Sequence, residues 1–464
     1  MNILIQNATV VTSSRTFKSD ILIAEGKIKA VKESISAKNQ DKIIDATGKY
    51  LFPGGVDPHV HFNLPTPAGF SADNFLSGSK AALFGGTTTI IDFVTPNKGQ
   101  SLIEALEHRI EEAKESLIDF SFHISPVEWR DTTADEIKEC VKRGFPSFKI
   151  YMAYKASIGL NDNAILKVMQ AVARAGGMVT VHAEMGDEIE QLRDKFFAEG
   201  KTEPLYHPLS RPPRTESEAV RRVIEMADRT SCPLYIVHVS AKESIEHIRK
   251  AQAANQKVFA ETCPHFLVLN DSAYKGSFLE TAKYVLSPPI RKQEDCQALW
   301  TAMNDGTIQT IGTDHCPFTQ KQKDFGRDDF RKIPNGAGGV EHRMALLYTY
   351  GVLEKRINLN QFVNLTSTQA AKIFGLYPQK GEITVGSDAD IVLWNPNKEE
   401  RISAKTHHSN CDISIYEGVK TFGAAETIFM QDRTLLLNRK GNSLLPYHYG
   451  KLITRESPPF YNPN

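Results

Sequence analysis

The segment Phe52-Pro-Gly-Gly-Val-Asp-Pro-His59-Val-His61 carries two histidines at i and i+2 behind an apolar approach, Tyr50-Leu51-Phe52. On an extended backbone those positions project to one face. Two imidazoles on one face at a strand end can share a metal ion, and neutral imidazole suits zinc and other borderline cations. A metal site needs three or four ligands, so the pair raises the question of where the others lie. Four further residues sit in or at the end of apolar, β-branched runs. They are Lys149 in Pro146-Ser-Phe-Lys-Ile-Tyr-Met, His182 in Val179-Thr-Val-His-Ala-Glu, His238 in Leu234-Tyr-Ile-Val-His-Val-Ser, and Asp314 in Ile311-Gly-Thr-Asp-His.

Each of these has a plain structural explanation when taken alone. A histidine can close a strand, Asp314 can cap a helix, and Lys149 can snorkel to a rim. Jointly, those explanations require coincidences at the same end of five strands, and a shared metal centre requires none. His123, His265, His315 and His342 lack the pattern or exceed what two metals need, and read as structural. Lys149 is the hardest to accept as a plain amine, because an ammonium beside divalent cations is both repelled and desolvated. A deprotonated lysine can take up carbon dioxide, and the carbamate so formed has two oxygens able to bridge two metals. Two divalent cations against that carbamate, Asp314 and a bridging hydroxide leave a core of about +1, enough to polarise a carbonyl and hold hydroxide near neutral pH.

The elements that would position these residues follow from the alternation of patterns. Apolar runs at 51–60, 87–94, 119–127, 146–152, 178–182, 233–239, 257–262 and 308–313 read as strands. Helical periodicity intervenes, for example over Leu102–Leu117, Ala164–Ala175, Thr215–Arg229, Lys242–Asn255 and Gln293–Asn304. Alternating βα units imply an α/β protein with a parallel sheet, and eight of them fit a (β/α)8 TIM barrel, whose strand C-termini converge on one face. The Gly-rich run Pro334-Asn-Gly-Ala-Gly-Gly339 does not follow a strand that opens a helix, so a phosphate-cradling Rossmann loop is not indicated. Short β-rich segments in residues 1–50 and 380–440 read as one small β-sandwich domain built from both chain ends. The barrel then spans 51–379, and 441–464 is a carboxy-terminal extension that reads as an arm able to pack on a neighbour.

Bulk properties agree. Single cores stop growing near roughly 250–300 residues, so 464 residues suit one large domain and a small one. Lys+Arg and Asp+Glu are 55 each, and the lack of a basic run argues against nucleic acid as a partner. Near-zero net charge suits a specific homo-oligomer. Six widely spaced cysteines, none in a CxxC pair, indicate a reducing compartment rather than a disulfide framework. The first residues lack a signal-peptide pattern and no apolar run approaches the roughly 20 residues of a membrane span. The expectation is a soluble cytoplasmic protein.

Read as a set, Gly55-Val-Asp-Pro-His59-Val-His61-Phe, Gly85-Gly-Thr-Thr-Thr-Ile-Ile-Asp-Phe, Ser147-Phe-Lys149-Ile-Tyr-Met-Ala-Tyr154, Val181-His182-Ala-Glu, Val237-His238-Val-Ser, Glu261-Thr-Cys-Pro-His, Leu286-Ser287-Pro-Pro-Ile-Arg and Gly312-Thr-Asp314-His-Cys-Pro-Phe closely resemble the dihydropyrimidinases and hydantoinases among the cyclic amidohydrolases. The resemblance spans nearly the whole chain. It implies a binuclear centre, usually zinc, bridged by Lys149 as N6-carboxylysine. His59, His61, Lys149 and Asp314 would bind one ion, and Lys149, His182 and His238 the other. It further implies that Tyr154 hydrogen-bonds the developing oxyanion, that backbone groups of Ser287 and Asn335 bind the cyclic amide edge, and that Leu64, Tyr151 and Ile158 line the pocket for the ring substituent. Asp314 would shuttle the proton from hydroxide to the leaving nitrogen, opening a cyclic ureide to an N-carbamoyl amino acid. The family is often tetrameric. Dihydroorotases carry arginine where this chain has Asn63. Allantoinase tolerates asparagine there, and Tyr154 favours the dihydropyrimidinase side. Relatives resembling collapsin-response mediator proteins keep the fold as scaffolds without the metal ligands, and this chain retains every ligand position.

Overall fold

Thr87–Val94 is buried at every position, as a parallel strand covered on both faces must be. In the computed structural model, which describes residues 2–39, 41–430, 433–436 and 449–457, this strand is part of a barrel preceded by a separate sheet. The sheet begins with β1 (Asn2–Val11), β2 (Thr16–Ala24), β3 (Lys27–Lys32), β4 (Asp41–Asp45) and β5 (Tyr50–Pro53). The barrel starts at β6 (Gly55–Asp57). After a short hairpin of β7 (Pro65–Thr66) and β8 (Gly69–Phe70), it continues through β9 (Thr87–Val94), β10 (Asp119–Ile124), β11 (Ser147–Tyr151), β12 (Met178–His182), β13 (Leu234–Ile236), β14 (Val258–Thr262) and β15 (Thr310–Ile311). The eight barrel strands lie side by side in chain order and pair in parallel. Helices between them include Leu102–Glu112, Asp162–Ala175, Pro213–Thr230, Lys242–Ala253 and Gln293–Asn304. The (β/α)8 expectation therefore holds. The helix Thr133–Lys142, not singled out from the sequence, buries Thr133, Ile137 and Cys140 along one face.

The first and last strands meet at a seam. Val60 bridges His315 in parallel, and the His61 N–H donates to the His315 carbonyl at 2.9 Å. Beneath them, buried Arg343 donates to the carbonyls of Val56 at 2.9 Å and Ile311 at 2.7 Å, tying β6 to β15.

The chain returns to the first sheet with β16 (Ile391–Arg401), β17 (Lys420–Met430) and β18 (Arg433–Leu436). The order is β18-β17-β16-β5-β1-β2-β3, with β4 also paired to β1, so both chain ends build it. Its apolar core includes Ile3, Ile5, Ile21, Leu51, Ile391 and Phe429. One expected strand is corrected here. The run 51–60 is divided between the two sheets: β5 pairs with β1 and β16, whereas β6 pairs with β9. Gly54 lies at the switch, where a Cβ would sit 2.1 Å from the Thr88 side-chain Oγ1, so no side chain fits against Thr88 there.

The carboxy-terminal extension, read as an arm toward a neighbour, lies on this chain's own barrel in its described part. Phe120 N–H donates to Lys451 O at 3.0 Å and Ile453 N–H to Phe120 O at 2.8 Å. Arg455 is buried with Nε on Ser121 Oγ at 2.9 Å and Nη2 on Ser147 Oγ at 2.7 Å. Residues 441–448 and 458–464 lie outside the described residues.

Lys380 clamps the small sheet to the barrel. Its buried ammonium contacts Asp119 of β10 and reaches Asp390 at 2.7 Å and Asp388 at 3.0 Å. Burial lifts the Asp390 carboxyl to about 6 against the pull of Lys380. A Lys380→Met variant takes the buried cation away from Asp390, while Asp388 keeps Lys27 at 2.6 Å, and should lose about 3–5 kcal/mol of stability, read from denaturant or thermal unfolding. Without the ammonium the Asp390 carboxyl is raised further, and a raised folded-state carboxyl pKa costs stability increasingly as pH climbs through it. The deficit should therefore be larger at pH 8 than at pH 5.

Candidate active site and metal centre

β6 ends at Asp57, whose buried carboxylate organises the turn that follows. Oδ1 accepts the N–H groups of His59 and Thr313, both at 3.1 Å, and Oδ2 accepts the Thr313 hydroxyl at 2.7 Å. One side chain thus holds the approach to the paired histidines and the approach to Asp314. The result is a tight cluster. His59 Nε2 lies 3.2 Å from His61 Nε2, and Asp314 Oδ1 is 3.1 Å from each. Among the described residues this is the group of three ligand atoms, all within 4.8 Å of one another, that could hold a metal ion.

A second pair adjoins it. At the end of β12 and just past β13, His182 Nδ1 faces His238 Nε2 at 2.9 Å, and the His238 ring centroid is 5.4 Å from that of His59. Lys149, in the middle of β11, is 1% exposed. Its Nζ lies 5.0 Å from the Phe93 ring centroid and 5.2 Å from that of Tyr151. Phe93 in turn stacks on His61 at 4.5 Å, and the Tyr151 ring is 5.9 Å from His182. The lysine's aromatic neighbours are therefore those of both histidine pairs.

Desolvation governs the charge states. Burial pushes the Lys149 ammonium down to about 8, against Asp314 and Glu261. It also lowers His61 and His182, and it takes His238 well below the ordinary imidazole value. For Asp314 burial acts upward, but the His59 and His61 imidazoles outweigh it and hold the carboxyl well below its usual range. His59 goes the other way, raised against burial by Glu261 and Asp314, so it gives up a proton when it takes a metal. Imidazoles and one carboxylate with nitrogen and oxygen atoms about 3 Å apart are the ligand set a borderline divalent cation takes. The residues present fit such an ion.

A supporting layer went unrecognised in the sequence. Glu261, on β14, accepts from His59 Nδ1 at 2.7 Å and from the His238 N–H at 3.2 Å through Oε1, and from the Tyr235 hydroxyl at 2.9 Å through Oε2. Glu184 Oε2 contacts His182 Nε2 at 2.7 Å and forms a buried ion pair with Arg211. Such partners fix ring orientation and tautomer at metal-binding histidines. The strand-end logic that singled out His182 applies equally to Glu184, two residues on, and to Glu261. Arg211 carries no such signal, since it lies in a loop.

Tyr154 follows β11, half-buried, with its ring 5.3 Å from His182 and the Arg211 guanidinium 5.5 Å from its centroid. Tyr154, His238 and Asp314 have φ of 60°, 41° and 49°. Non-glycine residues in this region cost about 1–3 kcal/mol each and persist where surrounding structure enforces them. Ser287 is buried and Asn335 half-buried. Their segments are joined by Gly336 N–H to Val285 O at 3.1 Å. Leu64 is half-buried beside β7, and Ile158 lies one turn from Tyr154. Asn63 Nδ2 reaches Glu112 at 3.4 Å. His123 is engaged by Ser147 and the Pro58 carbonyl, and His315 by Asp73, in keeping with structural roles.

Residues 50–433 match the amidohydrolase family. The chain is 43% identical over 438 residues to the D-hydantoinase of Ralstonia pickettii, covering 94% of this chain and 95% of that protein. It is 39% identical over 460 residues to the dihydropyrimidinase of Arabidopsis thaliana, covering 99% and 86%. The crystal structure of the dihydropyrimidinase from Brevibacillus agri superimposes with a TM-score of 0.96 at 41% identity, covering 98% of this chain and 99% of that one. Replacing Glu261 with Ala frees His59 Nδ1 and should weaken divalent-metal affinity by about 10–100-fold, measured by competition with a chromophoric chelator. An unchanged affinity would remove Glu261 from the support of the site.

Proposed function

We propose that this chain, which belongs to the amidohydrolase family and within it to the hydantoinases and dihydropyrimidinases, hydrolyses cyclic ureides such as dihydropyrimidines and hydantoins to N-carbamoyl amino acids. The observation that carries the reading is the meeting of His59, His61 and Asp314 within about 3 Å beside the His182–His238 pair and buried Lys149.

In this reading His59, His61 and Asp314 would hold one divalent ion and His182 and His238 a second, with Lys149, as N6-carboxylysine, a ligand to both. Zinc suits the imidazole-rich set. When bound, the ions supply Lewis acidity and a water acidic enough to ionise near neutral pH. The protein's own groups do the rest. Asp314 receives the proton of the attacking water and delivers it to the ring nitrogen as the C–N bond breaks. Tyr154 donates its hydroxyl to the oxyanion that develops on the attacked carbonyl. Backbone groups of Ser287 and Asn335 hold the amide edge, and Leu64, Tyr151 and Ile158 face the ring substituent. Asn63 leaves that position without the cation a substrate carboxylate would need, which favours neutral rings.

The assembly we propose is a homotetramer in the cytoplasm. All six cysteines are free and buried, which supports a reducing compartment. The deciding assay sets dihydrouracil, hydantoin and allantoin side by side, with metal content measured on the same sample. Turnover of the first two by metal-replete protein is expected, and preference for allantoin or no turnover at all would overturn the reading. Lys149→Ala and Asp314→Asn should each remove nearly all turnover. A Lys149→Ala protein with full metal and full activity, and no added short carboxylate, would contradict the bridge.

A further inference from the structure

Lys323 takes no part in the chemistry above, yet it is 1% exposed. It ends the short helix Gln320–Lys323. Its ammonium donates to three main-chain carbonyls: Val285 at 2.9 Å, Pro334 at 2.7 Å and Gly336 at 2.8 Å. An ammonium has three donors, and all three are used on carbonyls. Burial pulls this amine down to about 7, so holding a cation here is costly. Packing alone would be met more cheaply by an apolar side chain.

The three acceptors are not a random set. Pro334 and Gly336 flank Asn335, and Val285 lies two residues before Ser287. A peptide unit is planar. Fixing the Pro334 carbonyl therefore fixes the direction of the Asn335 N–H. The other plane of Asn335 includes the Gly336 N–H, which donates to Val285 O at 3.1 Å, and that same oxygen is held by Lys323. Both peptide planes of Asn335 are thus oriented, directly or through one shared oxygen, by a single ammonium. Gly336 has φ of 145°, and a Cβ there would lie 2.4 Å from Cys316 O, so the loop is seated against the chain that follows Asp314.

We propose that Lys323 is a positioning residue that sets the direction of the Asn335 backbone groups against the amide edge of the ring substrate, while the peptide plane of the Ser287 N–H is held separately, through the Leu286 carbonyl, by His207 at 2.8 Å. This rests on the ring-opening reading above. A contact made equally to substrate and transition state acts on KM rather than kcat. In zinc-replete Lys323→Met protein, KM for dihydrouracil and hydantoin should rise about tenfold while kcat changes less than about threefold, with zinc content unchanged. In Lys323→Ala, added ethylammonium should bring KM back toward the wild-type value and leave the wild type unaffected. If Lys323→Met fails to fold, Lys323→Gln, which keeps two N–H donors, carries the same criteria. An unmoved KM, or a fall in kcat and zinc content together with KM unmoved, overturns the proposal and leaves the lysine a purely structural group. Wild-type protein that opens neither ring overturns the ring-opening reading and this role with it. Wild-type turnover with an unmoved variant KM overturns the role of Lys323 alone.

Discussion

The bond from the His61 N–H to the His315 carbonyl, at 2.9 Å, closes the barrel, and the His59–His61–Asp314 cluster exists only because it is closed. It works with two other ties. Asp57 accepts from both His59 and Thr313, residues on opposite sides of the seam, and Arg343 spans the carbonyls of Val56 and Ile311 below. Asp57 and Thr313 are 256 positions apart. A seam opened by even a few ångströms would take Asp314 away from His59 and His61. The ligand set would then be two histidines, too few to retain a divalent ion.

The closed mouth is an electrostatically demanding place. Burial disfavours charge on Lys149, His61, His182 and His238 together, and three left-handed backbone positions add conformational cost. The structure offsets this with a fully buried shell of carboxylates behind the imidazoles. Glu261 serves His59, the His238 backbone and Tyr235, and Glu184 links His182 to Arg211. Groups of this kind raise ligand basicity and fix ring orientation without entering the centre. The strained residues, Tyr154, His238 and Asp314, are also among those given roles in the ring-opening reading proposed above, which fits strain held by a rigid scaffold.

Outside the mouth, buried cations do the joining. Lys380 links β10 to the sheet made from both chain ends. Arg455 brings the carboxy-terminal segment back to Ser121 and Ser147, the latter two residues before Lys149. Lys323 gathers three carbonyls around Asn335. In each case a long basic side chain satisfies oxygens from segments distant in sequence, where unsatisfied buried acceptors would be expensive.

Much of the barrel was legible because its signals are local. A β-branched run such as Thr87–Val94 reads as a buried strand wherever it occurs, and His59 with His61 reads as a two-ligand face from spacing alone. The strand-end rule carried His182, His238 and Asp314 as far as a shared mouth. The break of 51–60 at Gly54, the return of residues 449–457 to the barrel, and the partners of Glu261, Arg211 and Lys323 were not legible, although Glu261 stands at a strand end like His182. Each depends on a partner more than twenty residues away, and no pattern of period 2 or 3.6 encodes which distant oxygen a side chain will meet. Sequence alone therefore determined the ligand types, the alternation of elements and the family resemblance, all of which follow from residue identity and short-range spacing. Tertiary structure decided which glycine divides the two sheets, which carboxylates stand behind the imidazoles and which ammonium holds the Asn335 loop, because those contacts arise only when the chain closes on itself.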